Sequence, residues 1–187
     1  MARVRGTDLR DAVAFVADTY GPGSTDLVLG GLPQRTRALF ARNIRQLDWY
    51  PLEALTSYLV TAKGLLDPDG SDFYRKQGYY AAQHRKRGPL QMMVASPELR
   101  MLLVRTVWRL FYDVGRIEVL SQDPANVATR IHDFPATPEL CERFRGIWEG
   151  MASEEGRPAR AEGTRCVLRG DPYCELRVVY GPKGSST

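Results

Sequence analysis

The stretch TPELCERFRGIWEGMASEEGRPARAEGTRCVLRGDPYCELRVVY, from Thr137 to Tyr180, decides the reading of this chain. It holds all three cysteines of the 187-residue sequence, Cys141, Cys166 and Cys174. A helix-like segment carries Cys141 and ends near Gly150. Two β-rich runs follow, the first closed by Cys166 and the second opened by Cys174. Arg169-Gly170-Asp171-Pro172 between them is a turn by composition, because Gly and Pro punctuate a chain and Asp bonds its own backbone. Paired as a hairpin centred on Gly170, positions 166 and 174 stand opposite each other with side chains on one face. Two thiols then meet at the hairpin mouth, and a third comes from the helix packed beneath.

Three thiols make up most of a zinc site. A structural Zn²⁺ takes four ligands, with sulfur at about 2.3 Å, so one place remains for a carboxylate, a His or water. Glu162 is the nearest acid, and its even spacing from Cys166 puts both on one strand face. The same residues also fit a plainer arrangement, with Cys141 as a small buried hydrophobe and Cys166 and Cys174 as paired strand residues. A Cys166–Cys174 disulfide is within geometric reach but disfavoured in a reducing compartment.

The pattern TPxxC, then GRP, then C-x7-C with GD inside the interval resembles the 4-vinyl-reductase-type sensory domain found in phenol- and aromatic-responsive bacterial activators. The resemblance implies a zinc ion held by three Cys and one Glu beside a small aromatic-binding pocket. Carried onto this chain, the thiolates are Cys141, Cys166 and Cys174. The family's Glu stands three residues before the middle cysteine, where this sequence has Gly163, so Glu162 serves only after a one-residue bulge. Gly78 within DFYRKQGYYAAQ and the run Trp49 to Glu53, WYPLE, agree with the wider superfamily, which includes vesicle-tethering subunits and nitric-oxide-sensing haem domains.

Working outward, length favours one domain over 1–187, with a flexible tail at 181–187. An apolar fraction of 43% and a charged fraction of 26% belong to an ordinary globular protein. The +4 formal charge is spread among acids, so nucleic acid is not implied. No run approaches the roughly 18 apolar residues of a membrane span, and MARVRGTDLRD lacks a signal-peptide core. A cytoplasmic address is expected.

Helices are predicted over Asp8–Tyr20 with Thr7 as N-cap, Leu32–Leu47, Pro51–Leu66 and Asp72–Arg87 after a Ser71 cap. A further helix after Ser96-Pro97 runs to Val114, apolar around most of its circumference and hence central to the core. Gly78 in the fourth helix costs about 1 kcal/mol against Ala, which points to close approach by a helix or a ligand. His84-Arg85-Lys86-Arg87 complements that helix's C-terminal dipole. Period-two runs at Arg116–Leu120 and Val127–Phe134 read as strands joined by Gln122-Asp123-Pro124-Ala125. The fold class is α+β, a helical first half followed by a small antiparallel sheet covered by helices.

No HExxH, Walker loop, GxGxxG or serine elbow is present. By the resemblance, a small hydrophobic or aromatic ligand sits between the helices and the sheet near the metal, with Trp108, Tyr112, His132 and Trp148 as candidates for its wall. The expected protein is a zinc-supported sensory domain, homodimeric through its N-terminal helices and signalling through a separate effector. The rival readings are a tetrapyrrole reductase and a dimeric assembly module.

Overall fold

Three glycines that sit inside helices are explained by what lies against them. A computed structural model of the chain describes residues 1–86, 97–122, 126–153 and 158–181. Its first half contains β1 (Arg3–Arg5), α1 (Gly6–Tyr20), α2 (Ser24–Gly31), α3 (Gln34–Phe40), β2 (Trp49–Pro51), α4 (Leu52–Leu66) and α5 (Phe73–Lys86). Then come α6 (Pro97–Phe111), β3 (Arg116–Gln122), β4 (Asn126–His132), α7 (Pro138–Ala152), β5 (Ala159–Arg165) and β6 (Cys174–Tyr180). A Cβ on Gly78 of α5 would lie 2.0 Å from the Arg143 carbonyl oxygen, and one on Gly146 of α7 would lie 1.9 Å from that of Arg75. At Gly150 it would meet Ala82 Cβ at 2.7 Å. Helices α5 and α7 therefore meet backbone to backbone, and the glycine cost is spent on that approach.

The α+β architecture is as expected. The four-stranded antiparallel sheet runs β3-β4-β6-β5, and α7 lies on its inner face over β5 and β6. Ile117, Val127, Ile131, Ala161, Leu176 and Val178 are buried there. Trp148 joins helix to sheet by donating its indole N–H to Thr129 Oγ1 at 2.8 Å. Glu149 of α7 accepts from the Ala161 backbone N–H at 2.9 Å and pairs with Arg75, so one carboxylate ties α5, α7 and β5.

Other expectations need correction. The helix expected over Leu32–Leu47 is cut down to α3, Gln34–Phe40, with the separate α2 before it, and residues 41–48 are irregular. The reason is a tertiary demand on that segment's backbone. The free N–H groups of Gly6 and Thr7, at the start of α1, donate to the Asp48 and Gln46 carbonyls at 2.9 and 3.1 Å. Thr7 is thus inside the helix, not its cap. The second half of α6 is one-sided: Val104 and Trp108 are buried, as is Tyr112 just past its end, while Leu110 is 45% exposed. Arg87, Ser96, Asp123, Pro124, Ala125 and the tail after Gly181, each given a role above, lie outside the described residues.

A charged cluster fills the space between α1, α5, α6 and α7. Asp8 and Arg143 are wholly buried. Arg143 donates through Nη2 to Asp8 Oδ1, through Nη1 to the Tyr112 hydroxyl at 2.8 Å and through Nε to Gln77 Oε1 at 2.7 Å. Arg85 reaches Asp8 at 2.9 Å and Asp11 at 2.7 Å, and His84 Nδ1 lies 3.0 Å from Asp11. The basic run expected to serve a helix dipole instead sends Arg85 inward as a counter-ion. Burial pushes the Asp8 carboxyl upward, but the Arg85 and Arg143 guanidiniums outweigh it and hold Asp8 below the ordinary carboxylate range. Burial also lifts Tyr112 to about 12, keeping it a neutral donor to Asp8.

Two consequences are measurable by urea unfolding. Gly146→Ala drives a methyl into the Arg75 carbonyl and should destabilise the fold by about 1–3 kcal/mol. Gly64→Ala in α4, where a Cβ meets nothing within 4 Å, should be neutral or stabilising by up to about 1 kcal/mol; equal effects would refute the seam. Asp8→Asn strands two buried guanidiniums and should cost about 3–5 kcal/mol at pH 7. Because the folded pKa of Asp8 is depressed, its contribution is complete above the unfolded value of about 3.9 and is lost as pH falls through the folded one. The gap between wild type and variant should therefore shrink below about pH 4; a gap unchanged at pH 3 would remove Asp8 as its source.

Candidate functional site

The site is built at the N-terminal end of α7. Thr137 caps the helix, its hydroxyl accepting from the Leu140 N–H at 3.3 Å, with Pro138 in the first turn. This start places Cys141 one turn in, over the end of the β5–β6 hairpin. Register within the hairpin sets Arg165 against Glu175, so Cys166 and Cys174 face each other just beyond. A single turn of 3₁₀ helix at Val167–Arg169 and Gly170 at φ 88° reverse the chain. Asp171 Oδ2 accepts from the Cys166 N–H at 2.8 Å and locks the loop.

The three sulfurs converge. Cys141 Sγ is 3.8 Å and Cys174 Sγ 3.9 Å from Cys166 Sγ, and all three lie within 4.8 Å of one another. Burial, then the neighbouring sulfurs, raises the pKa of Cys141 well above that of a free thiol, and burial leads a rise at Cys174. These two thiols are protonated at neutral pH and are weak nucleophiles.

The sulfurs form one wall of a narrow cleft between α7 and the sheet. Ile131, Phe134, Ala136, Leu140, Phe144 and Leu176 supply an apolar floor, and Arg145 and Arg165 stand at its edge.

Glu162 is not with the thiols. The register of β5 against β6 shifts between Gly163 and Arg165, which breaks the even-spacing argument, and Glu162 is exposed on the strand. Among the described residues no fourth donor joins the three sulfurs. Trp108, Tyr112, His132 and Trp148 do not line the cleft. Trp108 and Tyr112 pack with Phe134 and Phe144 in the core, Trp148 is held by Thr129, and His132 Nε2 lies 3.1 Å from Glu118 with its ring against Tyr173. Reading from the sequence missed Phe134, Leu140 and Phe144 as lining; their signal was nearness to Cys141 along the chain and the helix.

A fold of this kind, helices over a four-stranded antiparallel sheet, is shared with solved H-NOX proteins. The chain is similar to an unliganded Fe(II) H-NOX protein mutant from K. algicida at 9% identity and a TM-score of 0.71, covering 95% of this chain and 97% of that one. It is likewise similar to an H-NOX protein from S. oneidensis in the Fe(II)NO state, at 15% identity and a TM-score of 0.71, covering 95% and 99%. An oxygen-binding H-NOX domain related to soluble guanylate cyclases matches at 12% identity and a TM-score of 0.66, with 98% of each chain covered. No family model and no curated protein matches the sequence. At these identities the likeness shows the fold.

The likeness overturns zinc as the expected cofactor: the proteins that share the fold are described by Fe(II) and haem, and among the described residues three donors converge where a structural zinc takes four. Nor, among the described residues, does a histidine stand where the cleft could use it to hold a haem. Of the two histidines, His84 is half exposed and engaged by Asp11, with its ring stacked on Tyr80, and His132 is engaged by Glu118. Neither lines the cleft, and the interior beside α6 and α7 is packed with Trp108, Tyr112, Phe134 and Phe144.

Proposed function

We propose that this chain is a sensory ligand-binding domain whose ligand, a small hydrophobic or aromatic molecule, enters the cleft between α7 and the β5–β6 hairpin. The observation that carries the reading is the joining of an apolar floor, Phe134, Leu140 and Phe144, to three converging thiols on a fold that solved gas-binding domains also use. Elongated apolar floors with few polar groups are how small-ligand pockets are made. Ligand in the cleft touches both α7 and the hairpin, and so favours whichever spacing of the two it fits. A plug tests this. Ala136, in the loop before α7, lines the cleft and is only part-buried, so Ala136→Trp should keep the fold while abolishing the thermal shift given by small aromatic ligands. Binding unaffected by the plug would place the ligand elsewhere.

The thiol cluster favours a second reading in which Cys141, Cys166 and Cys174 hold a soft ion in three-coordinate geometry, of the Cu(I) kind, for which thiolate sets are suited. Glu162 takes no part in it. Cu(I) titration against a competing chelator should show about one ion per chain, lost in Cys166→Ser; uptake equal in wild type and variant would dismiss the cluster as a site.

A further inference from the structure

Resting on the reading of the cleft as the ligand site, we propose that its ligand is a small organic anion: a single ring or short chain carrying one carboxylate, with the apolar body on Phe134, Leu140 and Phe144 and the charge at Arg145 and Arg165. Both charged side chains lining the cleft are cations, and no carboxylate lines it among the described residues. An apolar floor alone would accept any neutral hydrocarbon, so two guanidiniums at its edge select by charge.

The geometry of Arg145 supports this. Its Nη1 donates to Glu142 Oε1 on the same helix, while its Nε is enclosed without a hydrogen-bond partner. With Nε enclosed and Nη1 committed to Glu142, Nη2 beside Gly163 is the guanidinium nitrogen left to meet a ligand carboxylate in a charge-assisted bond. Gly163 makes the placement available. A Cβ there would lie 2.5 Å from Arg145 Nη2, so the missing side chain on β5 is the notch that admits the guanidinium to the cleft edge. Arg165, two residues along the same strand beyond the register shift, is exposed, and its guanidinium lies 5.6 Å from the Tyr173 ring centre. One cation thus comes from the helix and one from the hairpin. A carboxylate between them would link the two elements that the thiols also face.

Calorimetric titration of the full chain with benzoate and with benzyl alcohol, a neutral molecule of similar size, separates the claims. Wild type should bind benzoate at least about tenfold more tightly than benzyl alcohol. Arg145→Gln and Arg165→Gln should each lose about tenfold in benzoate affinity with benzyl alcohol unchanged. If Arg145→Gln disturbs the fold, seen by circular dichroism, the exposed Arg165→Gln carries the test. Equal affinity for the two probes in wild type overturns the anion proposal and leaves the cleft reading standing. Tighter benzoate binding that neither substitution weakens also overturns it. Failure to bind either probe overturns both.

Discussion

The backbone-to-backbone contact of α5 and α7 is the constraint on which the rest of this molecule depends. Ridge-into-groove packing keeps helix axes about 8–10 Å apart because side chains stand between them. Here Gly78, Gly146 and Gly150 remove those side chains along one seam. The closeness brings Arg143 within reach of Gln77, and Gln83 of α5 within reach of the Gly150 carbonyl. It also sets how far α7 stands above the sheet, and hence whether Cys141 meets the hairpin thiols.

Around that seam the chain buries charge where hydrocarbon would have been cheaper. Isolated ions in a protein interior are expensive, and apolar replacements often serve stability as well. The Asp8–Arg143–Arg85 cluster has one property that hydrocarbon lacks, namely direction. Each guanidinium proton needs a particular acceptor, so α1, α5 and α7 have a single mutual arrangement that satisfies them. Tyr112, donating to Asp8 while accepting from Arg143, adds the end of α6 to the same arrangement.

Much of this was legible in the sequence. Gly and Pro around position 170 with period-two runs on either side foretold the hairpin and the meeting of Cys166 with Cys174, and Gly78 foretold a close approach. What was illegible came from tertiary demands on the backbone. No local pattern in residues 41–48 reveals that their carbonyls receive the first N–H groups of α1, and no pattern in Glu162-Gly163-Thr164-Arg165 reveals the register shift there or that Glu162 stays exposed on the strand. Trp108, Tyr112 and Trp148 stand in the core and not along the cleft for a different reason: large aromatics serve core and pocket alike, and only packing distinguishes them. Asp8 and Asp11 did carry a signal. Acids on the stripe that continues through Ala12 and Phe15 mark buried partners for cations elsewhere.

Helix α7 has a separate commitment on each side of its circumference. Gly146 and Gly150 lie against α5, Arg143 enters the ion cluster, Phe144 and Trp148 sit over the core and sheet, and Cys141 and Arg145 border the cleft. A rod held at every azimuth cannot roll. Nor can it slide, because the hydrogen bonds of Arg143, Trp148 and Glu149 each fix its height along the axis. A group pressing on Cys141 or Arg145 from the cleft therefore loads the glycine seam, the ion cluster and the sheet together.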